Sequence, residues 1–180
     1  TPEAAKTKAE KYFGSWPAGK TPEYEYAFPK GVDNTSVAFI DKSGAVQSVI
    51  NITYALDLKP GAPDVIPARV MNTILGSGFS GRLFKNLRED KAYTYGAYSS
   101  LDDDELVGNF SANASVRNEV TDSAITQFFL ELDKLRNEPV SQEELDLAKS
   151  FIAGGFARSL ESPQTVAGFA LNIDMYDLPA

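Results

Sequence analysis

The chain has 180 residues, 43% of them hydrophobic and 23% charged, with 17 basic against 25 acidic residues for a net charge of −8. That apolar share excludes disorder, no stretch is long enough to cross a bilayer as a helix, and the acidic balance argues against nucleic acid as a partner. The absence of cysteine excludes disulfides and a thiol nucleophile, and the absence of histidine removes the commonest metal ligand and general base, so no Ser-His-Asp triad or His-based zinc site exists within these residues.

Residues 1–13 predict a helix stopped by Gly14, and residues 15–31, with Pro17, Pro22, Pro29, Gly19 and Gly31, have the chemistry of a linker. A strand is predicted over 35–41 and a longer one over 46–56. In the longer one Val46, Ile50, Ile52, Tyr54 and Leu56 share the even positions, while Gln47, Asn51 and Thr53 are polar. Pro60 and Gly61 break the chain, residues 64–75 read as a helix, and helical spacing resumes over 79–88 after Gly76-Ser77-Gly78. Residues 92–101 and 105–116 alternate as two strands joined at Asp102-Asp103-Asp104, a hairpin with an acidic turn. Helices follow over 120–135, from Ser141 (a capping box with Glu144), and from Ser162-Pro163 to about Tyr176. This order predicts an α+β fold, a largely antiparallel sheet with helices packed on one face. The chain starts at Thr1 and ends at Ala180 straight after an amphipathic stretch with no closing strand, which predicts a piece of a longer protein, truncated at its C-terminal end.

The glycine-rich segment 75–84 lacks the Lys-Ser/Thr of a phosphate loop and follows a helix, so it reads as a tight helix–helix turn. The acidic run 102–105 lacks the spaced ligands of a calcium loop and reads as a solvated turn. Arg88 and Tyr95 stand seven residues apart, across a helix-to-strand reversal that can bring both tips to one side of a sheet. There a guanidinium and a phenol could donate hydrogen bonds to a peptide carbonyl or to an oxyanion forming on it. On residue chemistry alone, Arg88 could equally neutralise a helix terminus or pair with Glu89 or Asp90, and Tyr95 could only pack.

The stretch 70–89, Val-Met-Asn-Thr-Ile-Leu-Gly-Ser-Gly-Phe-Ser-Gly-Arg-Leu-Phe-Lys-Asn-Leu-Arg-Glu, continuing to Ala92-Tyr93-Thr94-Tyr95-Gly96, closely resembles the C-terminal domain of the insulinase/pitrilysin zinc metallopeptidases, the inverted zincins that include the mitochondrial processing peptidases. Tyr12-Phe13-Gly14-Ser15-Trp16-Pro17 resembles the end of the preceding domain, so the resemblance divides the chain into 1–31, linker, and 32–180, an incomplete peptidase C-terminal domain. It implies the metallohydrolase fold of the processing peptidases and an enzyme of two facing domains. The other domain would carry His-x-x-Glu-His and a downstream Glu that hold zinc. Arg88 and Tyr95 match the arginine and tyrosine that contact substrate and stabilise the tetrahedral intermediate, Gly76, Ser77, Gly78 and Phe79 match a loop credited with substrate contact, and Arg82 matches a structural residue.

The expectation is therefore a hydrolase domain that is inactive alone, with zinc bound outside this chain and none within it. Its implied partners are a peptide substrate, a zinc-bearing N-terminal domain or partner subunit, and through an exposed edge or helix face another copy of itself. An envelope or periplasmic location is expected from exported bacterial relatives. The alternatives are a non-catalytic scaffold or peptide-binding relative of the same fold, and a small-molecule-binding domain unrelated to peptidases.

Overall fold

A computed structural model describes residues 1–179 apart from Thr21, Glu23, Tyr24, Phe39, Asp41 and Lys42. In chain order the elements are α1 (Pro2–Phe13), β1 (Gln47–Leu56), α2 (Val65–Gly76), the short α3 (Arg82–Phe84) running on into a π-helical turn (Lys85–Asp90), β2 (Thr94–Asp102), β3 (Gly108–Arg117), α4 (Thr121–Asn137), α5 (Gln142–Ser159) and α6 (Pro163–Met175). The three strands form one antiparallel sheet in the order β1-β3-β2. This is the α+β architecture expected from the pattern.

The alternation in β3 decides which face is covered. Phe110, Ala112, Ala114 and Val116 are all buried, joined by Ile50 of β1 and Ala97 of β2. Leu75 of α2, Leu83 and Leu87 of the next helical segment, and Ala124 and Phe128 of α4 pack onto them. The two alanines keep the middle of the sheet low, so large side chains such as Phe128 can descend onto it, and burial of such a side chain stabilises by about 2–3 kcal/mol. On the opposite face Val49, Asn51, Thr53, Asn113, Ser115 and Arg117 are exposed.

Polar groups hold the helices in register with the sheet. Ser99 Oγ donates to Asn72 Oδ1 at 2.7 Å, both residues buried, tying α2 to β2. The Asn86 amide donates to Glu131 at 2.7 Å, and Lys134 reaches the same carboxylate at 3.0 Å, fixing the π-helical turn against α4. The hairpin turn is stapled locally: Asp104 Oδ1 accepts from the backbone N–H groups of Leu106 and Val107, which holds its carboxyl below the usual range, and Asp103 pairs with Arg69 at 2.7 Å. These bonds occupy Asp103 and Asp104, the middle of the acidic run.

The expected capping box is present. Ser141 Oγ accepts from the Glu144 N–H, and the Glu144 carboxylate accepts from the Ser141 N–H. The same carboxylate accepts two bonds from Arg82, from Nε at 2.7 Å and Nη2 at 2.9 Å, so one side chain both starts α5 and fastens it to α3. Arg82 holds the Glu144 carboxyl down at about 2, against 4.5 ordinarily. A carboxyl lowered on folding stabilises above its unfolded pKa, and that contribution disappears as pH falls from about 4.5 to 2. With a third of the carboxylate side chain facing water, the contribution is about 1–2 kcal/mol. Glu144→Gln is expected to lower stability by that amount at pH 7, and the gap between the two proteins in urea unfolding should close below pH 3; a gap independent of pH would disprove the linkage.

Two expectations are corrected. Helical structure does not resume at Phe79, because Gly78 takes φ +87° and leaves Phe79 and Ser80 in the turn before Arg82. In the predicted strand 35–41, residues 35–38 and Ile40 form no strand, while Phe39 and Asp41 lie outside the described residues. Among the described residues β1 has one ladder partner, β3, and its other edge is unpaired. α1 and α6 bury no residue; α6 touches α5 through Phe169, stacked on Phe156 at 5.7 Å.

Candidate functional site

Between α3 and β2 the backbone departs from regular geometry three times. The helix widens to π spacing, with the Lys91 N–H donating to the Asn86 carbonyl at 3.0 Å, so the turn that carries Arg88 is broader than an α-turn. Ala92 then adopts φ +52°, a left-handed conformation that costs a non-glycine residue roughly 1–2 kcal/mol. Finally, Thr94 faces Val116 and Ala97 faces Ala114, so both Tyr95 and Gly96 lie opposite Ser115 in a β-bulge. Such irregularities persist only where the surroundings enforce them, and bulges re-aim side chains. Here Thr94 enforces the bulge: its Oγ1 donates to the Ser115 carbonyl at 2.7 Å and accepts from the Gly96 N–H at 3.1 Å.

The outcome is an open cavity of about 490 Å³ where β2 begins, β3 ends and β1 begins. Arg88 and Tyr95 both line it, with Thr94, Ser115, Arg117 and Gln47. Gln47 and Arg117 are cross-strand partners, and with Ser115 they belong to the face that the helices leave open. Arg88 is preorganised. Its guanidinium lies over the Phe84 ring at 5.2 Å and donates through Nη1 to the Tyr95 backbone carbonyl, leaving other N–H groups of its five donors for a ligand. Tyr95 is 84% exposed, its ring offered to solvent and not to the core.

The glycine-rich loop is placed differently. Gly76 is buried against β2, where a Cβ would fall 2.6 Å from the Ser99 nitrogen, and a Cβ on Gly81 would fall 2.7 Å from Gly76 Cα. Ser77 and Gly78 are half-buried, and none of residues 76–79 lines the cavity. Phe79 is exposed and meets the edge of Phe84 at 5.1 Å, so the loop reaches Arg88 only through that shared ring. Sequence reasoning did not single out Arg117, Gln47, Thr94 or Ser115. The alternation of β3 does place Ser115 and Arg117 opposite the buried alanines, but which β2 residues they meet depends on the bulge.

The residues present do not fit a zinc site. The chain has no histidine or cysteine, and among the described residues no three carboxylates are grouped so as to hold a metal ion.

Comparison with known proteins gives these groups a context. The family model "Peptidase M16 inactive domain" matches residues 1–151. The "Uncharacterized zinc protease YmxG" of Bacillus subtilis is 28% identical over 108 residues, 58% of this chain and 26% of that protein. The chain thus spans about a quarter of the length of the curated relatives it matches. The crystal structure of a peptidase M16 inactive domain from Pseudomonas fluorescens matches with a TM-score of 0.67 and 28% identity, over 75% of this chain and 32% of that one. A protease from Helicobacter pylori matches with a TM-score of 0.85 over 99% of this chain and 43% of that one; at 20% identity the likeness is one of fold.

Proposed function

Because the chain belongs to the M16 peptidase inactive-domain family, we propose that it is the substrate-holding, transition-state-stabilising C-terminal part of a zinc-dependent endopeptidase. The zinc and the base that activates water would be supplied by an N-terminal domain or a partner subunit. The observation that carries this reading is the convergence of Arg88 and Tyr95 on one open cavity of the helix-free sheet face. A peptide laid along that face presents carbonyl oxygens to the free N–H groups of Arg88. Charge-assisted donors of this kind are roughly twice as strong as neutral ones, so Arg88 clamps the substrate backbone. The Tyr95 hydroxyl is the donor for the oxygen that gains charge as the scissile carbon becomes tetrahedral, a bond stronger in the transition state than in the ground state.

Arg88→Ala is expected to weaken binding of a fluorescein-labelled, C-amidated decapeptide of Ala, Ser and Leu to this chain by about tenfold, measured by anisotropy, with the thermal unfolding midpoint kept within a few degrees. Unchanged affinity would remove Arg88 from the binding surface. The inactive type of the matched family model favours one second reading, a peptide-binding scaffold without a catalytic part; it requires Arg88 but not the Tyr95 hydroxyl.

A further inference from the structure

The charged residues that line the cavity are opposite in sign to the chain's net charge. The chain carries 25 acidic residues against 17 basic ones, yet the charged side chains lining the cavity are Arg88 and Arg117, and no carboxylate is among its lining residues. Neither arginine is locked in a strong ion pair. Among the described residues Arg88 has no carboxylate partner; its guanidinium is occupied by the Phe84 ring and the Tyr95 carbonyl. Arg117 pairs with Glu119 at 3.2 Å, but both side chains are more than half exposed, and an ion pair in that setting contributes little and is readily exchanged. Of the neutral side chains at the cavity, Tyr93, Tyr95, Ser115 and Gln47 carry hydrogen-bond donors, while the Thr94 hydroxyl is committed to the Ser115 carbonyl.

The net charge of −8 would repel an acidic ligand at long range. At physiological salt, however, charges separated by more than about 8 Å are largely screened, so the nearest groups decide: two guanidiniums against the Glu119 carboxylate, which an incoming carboxylate displaces from Arg117. A guanidinium presents its N–H groups as a planar fork that matches a carboxylate. We infer that the cavity binds a carboxylate of the peptide substrate between Arg88 and Arg117, and that Arg117 is the residue that makes the site prefer acidic peptides. This inference rests on the peptide-binding reading above and adds the class of peptide. The carboxylate has two sources, an Asp or Glu side chain or the free C-terminus of the peptide.

Four fluorescein-labelled decapeptides of one Ala/Ser/Leu sequence separate them: central Glu with an amidated terminus, central Gln amidated, central Gln with a free carboxyl terminus, and central Lys amidated. Binding to this chain is measured by anisotropy at 150 mM salt. The expected result is that the Glu peptide, the free-terminus peptide or both bind about tenfold more tightly than the amidated Gln peptide, as one charge-assisted contact provides, with Lys weakest. A gain for Glu alone identifies a side-chain carboxylate, and a gain for the free terminus alone identifies a C-terminal site.

Arg117→Gln should bring the favoured peptide down to the level of the Gln peptide, Arg117→Lys should keep most of the preference, and Arg117→Glu should favour the Lys peptide. Loss of fold would weaken all four peptides together, so the ratio between them reports the role of the side chain. Equal binding of all four, or a preference that survives Arg117→Gln, would overturn the inference and leave peptide binding standing. Failure of every peptide to bind would overturn both.

Discussion

If Tyr95 has the proposed role, Tyr95→Phe in the full-length protein is expected to lower kcat by about 10²–10³, the usual cost of removing one donor to a developing oxyanion, while KM stays within about twofold. The split follows from geometry. The phenol is 84% exposed and lies outside the core, so the ring survives the substitution without a change in packing. The bulge is held by Thr94, not by the Tyr95 side chain, so the backbone path is kept as well. What the variant removes is one O–H group. A kcat equal to that of the unmodified enzyme would disprove the role, and with Arg88→Ala still weakening peptide binding it would favour the scaffold reading. A rise in KM with kcat unchanged would instead make Tyr95 a ground-state contact.

Gly76→Ala carries the largest stability effect expected outside the central core. The added Cβ would stand 2.6 Å from the Ser99 backbone nitrogen and 2.7 Å from its Oγ, with Leu83 Cδ1 at 3.1 Å. A flexible side-chain end could swing away, but the Ser99 nitrogen belongs to β2, and Asn72 anchors the same residue. Forcing the helix off the strand costs about 3 kcal/mol or more, at the upper end of overpacking substitutions. Gly154→Ala is the matched control. It lies inside α5 with nothing within 4 Å of the new methyl, so helix propensity should raise stability by about 0.5–1 kcal/mol. Urea midpoints moving in opposite directions would confirm that the glycine-rich turn is built for close approach; equal small effects would show that α2 has slack against β2.

How far the sequence could be read depended on whether a feature is periodic. The even positions of β3 and the existence of the hairpin were legible because alternation and turn chemistry are local, although its turn was expected at 102–104 and the connection runs over 103–107; so were the Ser141–Glu144 box and the start of α6 at Pro163. The Arg82–Glu144 bridge was not, since its partners are 62 residues apart and each had a sufficient local explanation. Arg88 and Tyr95 were legible as a spacing, and as a resemblance, but not as a shape. The π-helical turn, the left-handed Ala92 and the bulge at Tyr95–Gly96 leave no mark in hydrophobic spacing, and together they set where the two side chains meet. Arg117 was missed for the same reason. A polar residue at a strand end is unremarkable until the fold places it on the wall of a cavity that Arg88 also lines. Residues 35–38 and Ile40 erred in the other direction: β-favouring residues predicted a strand, and these form none.

The cavity is also economical in sequence distance. Arg88, Thr94, Tyr95, Ser115 and Arg117 fall within about 30 consecutive residues, and Gln47 alone among its polar walls comes from elsewhere. Bringing β2 onto β3 closes only the short 103–107 connection, whereas β1 must find β3 across the residues between Leu56 and Gly108. Loop-closure entropy grows only slowly with length, so stretching that long connection by a few residues costs little. Insertions in the turn at 59–64, or changes in α6, would therefore leave the residues that line the cavity in place.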